Sequence, residues 1–291
     1  MPAWRCKPVK LIPAIQSFLG SGLLLLTLSV TAAAPLEMAT NQQPQLVFCG
    51  APAEVFAAFH NPDARNFSGE IRTRLIQTTS ATAVLLSEEP WQQLQVPANE
   101  TVLASATLDF PPVKSETKFL VQWLEDTNRV IGRTEVLVYP TNLLAELKPF
   151  AGDEALGVFD PQNELKPLLK KLGLAFTDLE NADLELYSGK LAIVGPFQSR
   201  TQMREDLPGQ LRALAKRGVG IVWVQPPRSR GEKLPPSFYT LAENTNVLVV
   251  VQPELVSNLS ANPQAQLNLI YFCQLATQPD PGPLPSPIMQ P

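Results

Sequence analysis

The 291-residue sequence predicts a multidomain fold, an N-terminal antiparallel β-sandwich followed by a C-terminal α/β domain with a mainly parallel sheet. Three observations carry this expectation. From Gln45 to Pro140 apolar residues alternate with period two in short runs, as in strands with one buried face. From Leu156 onward, unbroken four-residue apolar runs alternate with segments of helical period, as in strands buried on both faces and joined by helices. The period changes at Tyr139-Pro140-Thr141-Asn142, which reads as the boundary.

Residues 1–34 read as an export signal. Arg5, Lys7 and Lys10 make a basic start, Leu11 to Val30 is nearly free of charge, and Thr31-Ala32-Ala33-Ala34 offers small residues for cleavage. The alternative is an uncleaved anchor, since about 20 apolar residues span a bilayer, but Pro13, Gln16, Gly20 and Gly22 interrupt the run. The expected location is periplasmic or extracellular, with membrane attachment only if this segment is retained. Beyond it lie Cys49 and Cys273, in different predicted domains. They are expected as buried free thiols, which leaves the cores to hold the chain together. Residues 35–44 are polar and irregular and read as a linker.

The sandwich is assigned to residues 45–140. Its strand runs are marked by Val55, Ala57 and Phe59; Ile71, Thr73 and Leu75; Val84 and Leu86; Leu94 and Val96; Val102 to Leu108; Phe119, Val121 and Trp123; and Ile131 to Tyr139. Turn residues such as Asn61-Pro62-Asp63 and Pro97-Ala98-Asn99 separate the runs. In strand count and spacing the segment resembles immunoglobulin-like or fibronectin-type modules, without the Cys-Trp-Cys spacing of an antibody core.

A connector over 141–154, with a short helix at Leu143 to Leu147, leads into the α/β domain of residues 155–277. Leu156 to Phe159 is its first strand, stopped by Asp160-Pro161. Leu165, Leu168, Leu169 and Leu172 then line one helix face, with Asn163 as the expected N-cap and Gly173 as the stop. Leu174 to Phe176 reads as a short strand, Leu191 to Val194 as a buried one. Leu207, Leu211, Leu214 and Ala215 mark the next helix, closed by Gly218, and Ile221 to Val224 and Val247 to Val251 are further strands. The last helix, Pro263 to Thr277, places Leu269, Phe272, Cys273 and Ala276 on one face. Residues 278–291 carry six prolines and are expected to be an extended or disordered tail.

A net charge of −4 gives no basic field for a phosphate backbone, so nucleic acid is not an expected partner. Neither GxxxxGK[ST] nor GxGxxG occurs and no cofactor is expected. The single histidine, His60, ends a predicted sandwich strand, which disfavours histidine-based zinc sites and Ser-His triads.

In an open parallel sheet ligands bind beyond the carboxyl ends of the strands. Those ends are here Asp160-Pro161, Gly195-Pro196, Gln225-Pro226 and Gln252-Pro253. The nearby polar side chains are Asp160, Gln162, Gln198, Arg200, Gln225, Arg228 and Glu254, a set suited to a polar ligand such as a carbohydrate. The plainer reading is that proline ends each strand and polar residues cover an exposed edge.

The strand ending Ile193-Val194-Gly195-Pro196, the helix after it, Gly218-Val219-Gly220 and the strand Ile221-Val222-Trp223-Val224 together resemble the class I glutamine amidotransferase-like fold, over roughly Ala155 to Thr277. The resemblance implies a cysteine nucleophile on the turn after the Ile221 strand, with histidine and glutamate partners. In this sequence that turn is Gln225-Pro226-Pro227, without cysteine, serine or threonine, and the domain contains no histidine. The expectation is an exported, non-catalytic protein that binds an unidentified protein or a polar or carbohydrate ligand at the cell envelope. Its rival is a hydrolase or carbohydrate-active enzyme using an acid pair such as Asp160 and Glu254, which requires carboxylates about 5 to 9.5 Å apart. Trp223 and Tyr271 are candidate anchors if the α/β domain assembles with another subunit.

Overall fold

The computed structural model describes residues 36–39, 43–125, 128–227, 236–243 and 246–278. The predicted signal segment, part of the predicted linker, Arg228 and the tail from residue 279 lie outside the described residues. The described residues form a mixed α/β fold, with three sheets and more strands than helices. Among the described residues no helix is long and apolar enough to cross a membrane.

Eight strands come first: β1 (Glu37–Met38), β2 (Gln45–Phe48), β3 (Pro52–His60), β4 (Phe67–Thr78), β5 (Ala83–Val96), β6 (Thr101–Asp109), β7 (Thr117–Glu125) and β8 (Val130–Tyr139). They form a three-stranded sheet, β1-β3-β6, and a five-stranded sheet, β2-β8-β7-β4-β5. The inward residues of both share one core, in which Val55, Ala57 and Phe59 of β3 join Phe119, Val121 and Trp123 of β7. Trp123 is its largest fully buried side chain. Its indole N–H donates to Thr134 Oγ1 at 3.0 Å, and its ring meets Phe59 and Trp91 edge-on at centroid distances of 5.5 and 5.0 Å. Left unpaired in the core, that N–H would cost stability.

This half departs from expectation in three places. The predicted linker contains β1, which pairs with the end of β3. The five-stranded sheet is not wholly antiparallel, because β2 joins β8 in parallel. The Val84 and Leu94 runs form one long strand, β5, whose register against β4 shifts twice. Val84, Leu85 and Leu86, at the start of this edge strand, stand 53, 55 and 42% exposed, so the Val84 and Leu86 run does not face the core.

A 3-10 turn (Leu143–Leu147) and a short helix, α1 (Lys148–Ala151), lead to the second group of elements. These are β9 (Leu156–Phe159), α2 (Leu165–Lys171), β10 (Phe176–Asp178), β11 (Leu191–Val194), α3 (Leu207–Lys216), β12 (Gly220–Val224), β13 (Phe238–Glu243), β14 (Asn246–Val251) and α4 (Pro263–Thr277). The sheet order is β10-β9-β11-β12-β14-β13, parallel except for β13. Every residue of β9 and β11 is buried, which is why their sequences show no alternation. One sheet face packs on α2 and α4 through Leu165, Leu169, Leu269 and Phe272, the other on α3 through Leu207, Leu211 and Leu214. Leu46, Phe48 and Leu137 of β2 and β8 also pack against the first of these layers.

β10 begins at Phe176, two residues later than the apolar run suggests, and β13, which pairs with the predicted strand β14, is an element the apolar pattern did not announce. Tyr271 is buried in the core and Trp223 is partly buried against the α3 layer, so both serve packing.

Gly220 sets the distance between sheet and helix. A Cβ there would lie 2.7 Å from the Ala276 carbonyl oxygen of α4, a backbone atom that moves only with its helix. Gly220→Ala is expected to cost about 1–3 kcal/mol through overpacking, read as a lower denaturation midpoint.

Candidate functional site

The carboxyl ends of the parallel strands gather most of the predicted site residues in sequence order, but each is placed for its own local reason. Asp160 follows β9 and is 1% exposed. Its Oδ2 accepts the backbone N–H groups of Leu165 at 2.8 Å and Lys166 at 2.9 Å, and its Oδ1 accepts that of Glu164 at 3.2 Å. The carboxylate thus satisfies the amides that open α2, the capping role expected of Asn163. Asn163 instead adopts a left-handed φ of 56° in the turn, one residue before the N-cap position, which Glu164 occupies.

Lys166 was not singled out by the sequence pattern, yet it is the most deeply buried cation described, at 9% exposure. Its ammonium lies 3.0 Å from Asp178 Oδ1 and within hydrogen-bond contact of Glu180 Oε1, which also accepts the Asp160 backbone N–H at 3.0 Å. Burial alone lowers the lysine pKa, but hydrogen bonds and charge from Glu180 and Asp178 more than offset it and hold it above its ordinary value. Burial likewise disfavours ionised Asp178, yet the Lys166 hydrogen bond, the Glu180 backbone N–H at 3.0 Å and Asn181 hold its carboxyl below the usual range. Lys166 is therefore a fixed cation, not a neutral amine nucleophile.

The pH dependence has a definite sign. The raised Lys166 pKa gives stability that is full below 10.5 and is lost as pH rises through the folded value, and the depressed Asp178 pKa gives stability that is full above 3.8 and is lost as pH falls through the folded value. The stability gap between the native chain and Lys166→Met is expected to be widest between those limits and to narrow on both sides. Denaturant titrations across pH measure it.

Beyond β12, Gln225 is held on two sides. Its Oε1 accepts from Gln252 Nε2 at 3.1 Å and its Nε2 donates to the Tyr239 hydroxyl at 3.4 Å. Gln252, 4% exposed, and Tyr239 were not in the predicted set. The Gln252-Pro253 strand end pointed to the first, whereas β13 supplies the second. Gln198 is exposed, and its backbone N–H bonds Gln202 Oε1 at 2.7 Å. Gln162 is half-buried, and Arg200 and Glu254 sit exposed in separate 3-10 turns. None of the hydrogen bonds or ion pairs described joins Asp160 to Glu254.

The thiol beneath the sheet, Cys273 on α4, is fully buried among apolar residues, which pushes its pKa up and keeps it protonated. His60 ends β3 in the other core's sheet, with Nδ1 3.1 Å from Thr101 Oγ1. Among the described residues no cluster of three or more His, Cys, Asp or Glu is placed to hold a metal.

A separate cleft of about 580 Å³ lies where β2 and the start of β3 face α2 and the segment before α4. Its apolar walls include Leu46, Phe48, Leu144, Leu168 and Leu172. Cys49 and Gly50, the latter with φ 82°, turn the chain between β2 and β3 along its floor.

No protein-family model matches the chain, and no curated protein is similar to it in sequence. Solved structures share only parts of it. The Pseudomonas fluorescens alkylpurine DNA glycosylase AlkC bound to DNA is 10% identical over 37% of this chain and 31% of that one, with a TM-score of 0.28. A β-glucosidase from Listeria innocua in complex with glucose is 17% identical over 36% of this chain and 16% of that one, at 0.26. A Niemann-Pick type C2 protein from the Japanese carpenter ant is 5% identical over 37% of this chain and 89% of that one, at 0.27. The chain thus spans less than a third of the length of the glycosylase and glucosidase, and likenesses this slight carry no argument about activity.

Proposed function

We propose that this is an exported, non-catalytic binding or assembly protein of the cell envelope, in which an immunoglobulin-like β-sandwich precedes a degenerate class I glutamine amidotransferase-like domain. The observation that carries the reading is the occupied turn after β12. Gln225 stands where that fold keeps its nucleophile, and its amide is engaged by Gln252 and Tyr239. Pro226 and Pro227 follow it. Amide and pyrrolidine groups supply no attacking atom, and the chain's one imidazole is bonded to Thr101 at the end of β3. Asp160, the deepest acid at the strand ends, has its oxygens committed to three backbone amides.

The test is turnover. The purified chain is expected to release no ammonia from glutamine and to leave a panel of acyl and glycosyl substrates intact. Gln225→Cys is expected to remain inactive, because a thiol at that turn gains no base. Turnover by the native chain that a single substitution abolishes would overturn the proposal.

A further inference from the structure

The cleft beside β2 is bounded by an unused strand edge. Cys49 N–H bonds the Tyr139 carbonyl at 2.9 Å, so in this parallel ladder residues 45, 47 and 49 turn their amides toward β8. The amides of Leu46 and Phe48 then point to the opposite edge, where no strand pairs with them among the described residues. One residue earlier the same edge is closed differently. The Gln45 side chain reaches β3, where its Oε1 accepts the Phe56 N–H at 2.9 Å and its Nε2 donates to the Phe56 carbonyl at 2.7 Å. The free stretch therefore begins at Leu46 and opens into the cleft.

The opposite wall carries polar and charged groups. Gln266 of α4 lines the cleft, is 3% exposed and donates its Nε2 to the Leu259 carbonyl at 2.7 Å. Lys171 and Glu54, both exposed, face the same space without an ion-pair partner among the described residues. Leu144, Leu168 and Leu172 supply the apolar surface between them.

We propose that the cleft takes a short extended peptide of a partner protein, which adds as a strand along Leu46 and Phe48 and seats an apolar side chain against the leucines. An extended backbone is the chemistry that matches alternating amide donors and acceptors on a strand edge. A volume near 580 Å³ suits a few residues and not a folded element. An acidic group at one end of the peptide meets Lys171, and a basic group at the other meets Glu54. The inference rests on the binding reading above but uses a different part of the molecule, and the peptide experiment does not depend on the turnover assay.

The probe is a phage-displayed library of random heptapeptides selected on the full chain, followed by residue-resolved amide hydrogen exchange with the enriched peptides. The expected result is an enriched motif with one apolar and one acidic position that slows exchange at Leu46 and Phe48 at least about tenfold. Lys171→Glu, a surface change that leaves the core intact, is expected to weaken such a peptide about fivefold. Failure to enrich any motif, or peptides that bind without protecting these amides, overturns the proposal. Protection already present in the free chain overturns it too: if lost on truncation after Gln278, it assigns the cleft to the chain's own C-terminal segment, and if it grows with protein concentration, to a second copy.

Discussion

Trp123→Ala is expected to lower stability by about 3–5 kcal/mol, the range for emptying a large buried aromatic site. Three losses combine there. The indole leaves a cavity among Phe59, Phe119 and Val121, its edge contacts with Phe59 and Trp91 vanish, and Thr134, 1% exposed, loses the donor that reaches it at 3.0 Å. Trp123→Phe keeps most of the volume and is expected to cost less, with the remainder reporting the unpaired Thr134 hydroxyl. Urea denaturation of both variants measures the difference. Equal midpoints for Trp123→Ala and the native chain would mean that this tryptophan is not the centre of its core.

Asp160→Ala is expected to cost about 2–4 kcal/mol, because hydrogen bonds to a charged acceptor contribute about 1.5–3 kcal/mol each and several are lost together. The amides of Leu165 and Lys166 would remain buried without an acceptor. The substitution also loosens the start of α2, which carries Lys166 into its contact with Asp178 and Glu180. Asp160→Asn retains an acceptor oxygen and is expected to recover roughly half of the loss. The same pair separates capping from chemistry: a cap acts on the denaturation midpoint alone, whereas a catalytic acid would change a reaction rate.

The strand and helix content was legible in the sequence wherever one period ran without interruption. β9, β11 and β12 declared themselves as unbroken apolar runs because both faces are covered, and α4 matches its predicted span from Pro263 to Thr277. β1 was hidden because two residues are too few to show a period, and β13 because it follows a long polar, proline-rich stretch. The parallel partnership of β2 and β8 joins residues about ninety positions apart, which no local pattern encodes. At the strand ends, Asp160 and Gln225 were correctly located but their partners were not. Capping by Asp160 depends on where the turn places the first amides of α2, and the grip on Gln225 depends on Tyr239 arriving from β13. Lys166 passed unnoticed because a lysine on a helix normally faces water, and only Asp178 and Glu180 make its burial tolerable.

The two thiols beyond residue 34 divide between the cores in a way that has experimental use. Cys49 belongs to the core around Trp123 and borders the cleft, Cys273 is fully buried in the layer beneath β12 and β14, and neither is bonded to the other. In a chain with Cys6 replaced by serine, pulsed alkylation followed by mass analysis would time the opening of each interior separately, with no engineered label. Matching rates would describe one cooperative folding unit, and a faster rate at either sulfur would identify the half that breathes first.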